Sequence, residues 1–190
     1  MVILASGAGS NADQICTYFK DHPDIKVKLI ISNKANAGVL KVAANHSIES
    51  IVIPKSDWEN KDQVLGELKA KEITHIILAG FLLLLPSWLV KEFSGRIINI
   101  HPALLPKYGG KGMFGHHVHE KVKISGESIS GVTIHEVDEN YDEGKIIFQK
   151  SVEIDVEDSA STIGEKVLKL EHYYYPRVIE EWIHENVTMW

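Results

Sequence analysis

Five short aliphatic runs, Val2 to Ala5, Val27 to Ile31, Ile51 to Ile53, Ile76 to Ala79 and Ile97 to Ile100, punctuate the first half of the chain. Such nearly continuous apolar character marks strands covered on both faces of a sheet. The segments between them carry helical spacing: Ile15 and Phe19 within Ala12 to Lys20, the apolar stretch Val39 to Ala44, the trio Val64, Leu65 and Leu68, and the pair Trp88 and Leu89. Strand and helix alternating in this way predict a right-handed, parallel βαβ wind. After Pro106 the rhythm changes. A glycine-rich loop, Gly109 to Gly115, precedes an expected helix near His116 to Lys123. Two strands follow, Ile129 to Val137 and Lys145 to Glu153, and the short turn between them predicts an antiparallel pair. The segment Ser159 to Asn186 is helical by spacing, with Ile163, Val167, Leu170 and Tyr174 on one stripe, and Pro176 is expected to kink or break it. The reading is an α/β protein with a Rossmann-like, mostly parallel sheet, flanking helices, an antiparallel pair in the second half and a long C-terminal helix.

With 190 residues, 44% of them hydrophobic, the chain suffices for one α/β domain with a full core. We expect a single domain over 1–190, with a phosphate-binding half up to about residue 100 and a catalytic half beyond it. No apolar run reaches the roughly 18 to 20 residues of a spanning helix, so no membrane association is expected. The chain enters its first strand at Val2 without a basic leader, and the single Cys16 fits a reducing compartment, so a cytoplasmic location is expected. The formal charge of −6 argues against nucleic-acid binding, which relies on Lys and Arg to neutralise phosphates. An anionic substrate must then be captured by local donors.

Ser6-Gly7-Ala8-Gly9-Ser10-Asn11 lies between the first strand and the first helix. There, glycines let backbone amides approach an anion and the helix start adds favourable partial charge. The pattern also suits a dinucleotide, but Ser32-Asn33-Lys34 stands where a ribose-binding carboxylate would be expected. The second chemical segment is Asn99-Ile100-His101-Pro102. Two residues apart on a strand, Asn99 and His101 share a face at the carboxyl edge of the sheet, where such sheets bind ligands. Asn99 can donate to an oxyanion, His101 can move a proton, and Asp142 in the later turn is the candidate carboxylate partner. The plain alternative has His101 capping the strand on a nearby carbonyl, and His135 is equally open between a structural and a catalytic role. His116, His117 and His119 read as a solvated helix face, with no metal expected. Phe81 to Leu85 reads as core or as an apolar wall for a flat heterocycle.

The ordered set S-G-x-G-S-N from Ser6, A-G-F from Ala79, N-I-H-P-x-L-L-P-K-Y from Asn99, Thr133-Ile134-His135, Asp142 with Gly144, and Glu171-His172 resembles the phosphoribosylglycinamide formyltransferase family over nearly the whole chain. The resemblance implies formyl transfer from 10-formyltetrahydrofolate to the amine of 5′-phosphoribosylglycinamide in purine synthesis. It implies Asn99, His101 and Asp142 as catalytic residues, with the carboxylate raising the His101 pKa. Gly9, Ser10, Asn11 and Glu171 would bind the amine substrate. Leu82, Leu83, Leu84, Leu85, Asn99 and the turn from Asp138 would bind folate, with Lys61 the candidate for a basic folate contact that the all-leucine run lacks. It further implies small-molecule substrates alone, a folate co-substrate without metal, and a monomer or homodimer. Sister families, the methionyl-tRNA formyltransferases and formyltetrahydrofolate deformylases, are set apart by an additional domain for which no room is expected here. The Gly109 to Gly115 loop is a candidate lid.

Overall fold

In the computed structural model, which describes residues 1–187, seven strands form one sheet in the order β3-β2-β1-β4-β5-β6-β7. They are β1 (Val2–Leu4), β2 (Leu29–Ser32), β3 (Ser50–Val52), β4 (Ile76–Leu78), β5 (Ile97–His101), β6 (Ile129–Glu136) and β7 (Ile146–Glu153). The first five pair in parallel, while β5 with β6 and β6 with β7 are antiparallel. The helices are α1 (Ser10–Phe19), α2 (Val39–Asn45), α3 (Lys61–Ala70), α4 (Ser87–Glu92), α5 (His116–Ile124) and α6 (Ala160–Val187). A 3-10 turn over Lys55–Glu59, which periodicity does not reveal, buries Trp58.

Alternate strand residues serve two cores, which is why the runs read as continuously apolar. Ile3, Ile30, Ile77 and Ile98 pack on α1, α2 and the distal part of α6. Val2, Leu4, Leu29, Ile31, Ile76, Leu78 and Ile97 pack on α3, α4 and Trp58. A third cluster, with Val118, Val122, Ile163 and Val167, joins α5 to the start of α6, and Tyr108 and Met113 lie against it.

Two expectations about α6 need correction. Pro176 does not break the helix, which runs continuously from Ala160 to Val187. A proline inside a helix sacrifices a backbone hydrogen bond at a cost of about 3 kcal/mol; here burial of Tyr175, Val178, Ile179 and Trp182 against the sheet offsets it. Ile163 and Val167 of the stripe are buried as expected, but at its far end the fully enclosed residue is Tyr175 and not Tyr174. The Tyr175 hydroxyl donates to the Leu78 carbonyl at 2.8 Å, which ties the helix to the end of β4.

Candidate active site

The strand order reverses between β1 and β4, so the crevice beyond their carboxyl ends is the natural ligand site of this sheet. Gly9, at φ 87°, starts α1. A Cβ there would lie 2.8 Å from the Val39 Cα, so α2 packs directly on the loop. No side chain caps α1, which leaves the amides of its first turn open to an anion. Ser6 stitches the surrounding loops: its hydroxyl donates to Asn33 Oδ1 at 2.6 Å and accepts from the Leu82 amide at 2.9 Å. At the other side of the loop, Asn11 Nδ2 donates to Glu171 Oε2 at 2.6 Å. Glu171 is 8% exposed. Burial pushes its carboxyl above the ordinary range, against the opposing pull of the Asn11 bond.

The catalytic candidates are assembled by register. Asn99 pairs with His135 and His101 with Thr133 across β5 and β6, so all four side chains leave the same face of the sheet. His135 Nδ1 donates to the Glu136 carbonyl at 2.8 Å, and its Nε2 lies 3.2 Å from Asn99 Nδ2. The register shift between β6 and β7 falls at Ile134/His135, beside this contact. The turn after β6 returns Asp142 to the group, with Oδ2 3.6 Å from His101 Nδ1 and Oδ1 3.5 Å from His135 Nε2. Gly144 makes the return possible: a Cβ there would lie 1.8 Å from the Glu136 carbonyl oxygen.

His101 contacts a carbonyl and a carboxylate at once. Nε2 donates to the Tyr108 carbonyl at 2.7 Å, as a strand-end histidine would, while Nδ1 faces the carboxylate. The expected rise in its pKa is overturned. Burial lowers it more than the Asp142 charge and the Tyr108 bond raise it, and His135 lowers it further. A carboxylate beyond hydrogen-bond distance does not repay desolvation of an imidazole that is 3% exposed. For Asp142 burial pushes upward, but the His135 bond, the His101 charge and the Gly110 amide together hold the carboxyl below the ordinary range.

Behind the segment after His101 lies a closed polar set that sequence alone leaves unread. Thr133 Oγ1 donates to the Ala103 carbonyl at 2.6 Å and accepts from the Leu105 amide at 3.0 Å. Gln149 Nε2 reaches both Thr133 Oγ1 and the Leu105 carbonyl at 2.9 Å. The threonine two positions before His135, and so directly opposite His101, is the signal that could have exposed it.

These groups border a cavity of about 810 Å³. Asn11, Leu82, Leu83, Leu84, Leu85, Asn99, His101, Asp142 and Glu171 all line it. His135 and His119 do as well, although neither was assigned there from sequence. Gly9 and Ser10 stand outside its wall, adjacent to Asn11, as does Asp138, whose carboxylate accepts from the Asn140 amide at 2.8 Å. Lys61 is not brought to the cavity; it opens α3 at the surface, 3.8 Å from Glu92. His119 corrects the solvated-face reading. His116 and His117 are exposed, but His119 is 7% exposed, its ring is set against Gly164, and burial pushes its pKa down to about 4. Among the described residues no group of three or more His, Cys, Asp or Glu is arranged to hold a metal, and no helix is long and apolar enough to cross a membrane.

A Rossmann-like sheet extended by an antiparallel pair, with an asparagine, two histidines and an aspartate at its carboxyl edge, defines a class that comparison makes explicit. The chain belongs to the formyl transferase family, whose model matches residues 1–179. Within that family it is similar to phosphoribosylglycinamide formyltransferases. It is 36% identical to the one from Bacillus subtilis, with 97% of this chain and 94% of that protein covered. The chloroplastic enzyme of Vigna unguiculata is 38% identical over 99% of this chain, which spans 62% of that relative's length. For the chloroplastic Arabidopsis thaliana relative the corresponding share is 66%. The crystal structure of phosphoribosylglycinamide formyltransferase from Bacillus halodurans superposes with a TM-score of 0.85 at 35% identity, covering 95% of this chain and 93% of that one.

Proposed function

We propose that the chain, as a single formyltransferase domain, transfers the formyl group of 10-formyltetrahydrofolate to the amine of 5′-phosphoribosylglycinamide, a step of purine synthesis. The observation that carries this reading is the convergence of Asn99, His101, His135 and Asp142 on one cavity that extends to Asn11 and Glu171 beside the open first turn of α1. The leucine segment Leu82 to Leu85 gives that cavity an apolar wall suited to a pterin, and Asn11 with Glu171 gives it a polar end suited to a sugar-phosphate amine.

The amine attacks the formyl carbon and leaves negative charge on its oxygen. Asn99, its amide oriented by His135, donates to that oxyanion; one such pre-placed donor is worth about 10² to 10³ in rate. The ammonium formed on attack loses its proton to His101 at Nδ1, where Asp142 stabilises the imidazolium. The same proton passes to the departing folate nitrogen as the carbon to N10 bond breaks. The depressed His101 pKa suits this role, because the neutral ring is the competent acceptor at neutral pH. No covalent intermediate on the protein is required. The unpaired Cys16 and the similarity to a bacterial enzyme support a cytoplasmic setting.

Donor consumption tests the reading. With 10-formyltetrahydrofolate alone the donor is stable; adding phosphoribosylglycinamide starts its loss and yields the N-formyl product. Formate release without the amine would indicate a deformylase, and tight nucleotide binding without turnover a binding module.

A further inference from the structure

Lys111 is the one lysine or arginine among the residues lining the cavity, whose carboxylates are Asp142, Glu165 and Glu171. It is exposed and forms no ion pair among the described residues, unlike Lys61 and Lys91, which are engaged by Glu92 and Glu139. An exposed, unpaired ammonium on a cavity wall offers charge-assisted hydrogen bonds to an anionic group of a ligand. The packing of its loop says which end of the cavity it serves. Tyr108 and Met113, on either side of it, lie against the cluster that joins α5 to α6, and α6 carries Glu171 to Asn11 of the anion-binding loop. The leucine wall belongs to the opposite layer, where Leu83 and Val137 pack with α3 and α4. A second observation marks the same end as incomplete: His119, lining the cavity beside Gly164, keeps a buried Nδ1 without a partner. The loop is also bonded to the reacting centre. The Tyr108 carbonyl holds His101, and the Gly110 amide donates to Asp142 Oδ2 at 2.9 Å.

We propose that Lys111 binds the phosphate of the amine substrate opposite the first turn of α1, and that this contact sets the loop that fixes His101 and Asp142. Phosphate binding would then raise turnover as well as affinity. This inference rests on the proposed acceptor.

The test compares wild type with Lys111→Met and Lys111→Arg on phosphoribosylglycinamide and on its dephosphorylated form, beside a calorimetric titration with ribose 5-phosphate against ribose. The expected result is that Lys111→Met lowers the preference for the phosphorylated amine by about tenfold to a hundredfold, the worth of a charged hydrogen bond. It weakens ribose 5-phosphate by a similar factor, and Lys111→Arg restores much of both. An unchanged preference and unchanged ribose 5-phosphate affinity would overturn the proposal. So would a loss that appears only in the KM of a polyglutamated folate donor, which would assign Lys111 to the folate tail. Wild-type protein that binds ribose 5-phosphate through Lys111 but does not formylate the amine would overturn the acceptor reading and leave the phosphate site standing.

Discussion

Asn99 and His135 face each other across the antiparallel β5–β6 pair, with Nδ2 3.2 Å from Nε2, so the orientation of the carboxamide is set by a neighbouring strand and not by its own. His135 is in this account a positioning residue. His135→Ala is expected to lower kcat on the order of a hundredfold, the effect of misplacing a reacting group by about 1 Å, with little change in the KM of either substrate. Asn99→Ala should cost about 10² to 10³, and the double variant little more than Asn99→Ala alone. Additive losses in that cycle would show that the two side chains act independently.

Glu171 is buried and its carboxyl is held above the ordinary range chiefly by desolvation. Ionising it at neutral pH therefore costs folding stability, and this cost grows as pH rises from the unfolded value of 4.5 through the folded one. Glu171→Gln keeps an acceptor for Asn11 and removes the charge. Its Tm at pH 7 should rise by a few degrees, the shift that about 1 kcal/mol gives a chain of this size. The KM for the amine should rise as well. A lower Tm, or an unchanged KM, would contradict this reading of the residue.

His119 supplies an acid-dependent term. The folded protein keeps the ring neutral down to about pH 4, whereas the unfolded chain protonates it near 6.5, so unfolding takes up a proton between those values. Stability from this residue is fully present above pH 6.5 and falls as pH is lowered to 4. Urea titrations of His119→Asn over that range should show a flatter loss than wild type. Parallel curves would assign the acid lability elsewhere.

Two glycine substitutions should behave oppositely. Gly144→Ala drives a Cβ into the Glu136 carbonyl, so the turn must shift and carry Asp142 with it. A destabilisation of about 2 kcal/mol or more and at least a tenfold lower kcat are expected. Gly66→Ala, inside α3 where a Cβ meets no atom within 4 Å, should stabilise by up to about 1 kcal/mol and leave kcat unchanged. Thermal melts and steady-state rates check both.

The parallel wind was legible because each strand is aliphatic on both faces and each helix repeats at its own period. Asn99 and His101 stood out because polar chemistry closes such a strand. Less could be read where long-range packing decides. Pro176 sits in a helix whose neighbours bury enough surface to tolerate it. The protonation of His101 follows from desolvation, which no spacing encodes, and the burial of His119 follows from the glycine that α6 places against it. Lys61 carries the basic charge that the resemblance implies for a folate contact, but the fold spends that charge on Glu92, and the cation that reaches the cavity is Lys111.

Direct transfer of a formyl group within the Asn99, His101 and Asp142 site is tested most directly by following ¹³C-formyl-labelled 10-formyltetrahydrofolate by NMR in a single turnover, with wild type and with Asn99→Ala. The label is expected to move from the folate N10 to the amine of phosphoribosylglycinamide without passing through free formate, about 10² to 10³ more slowly in the variant. Label appearing as formate in the absence of the amine, or an Asn99→Ala rate equal to wild type, would contradict it.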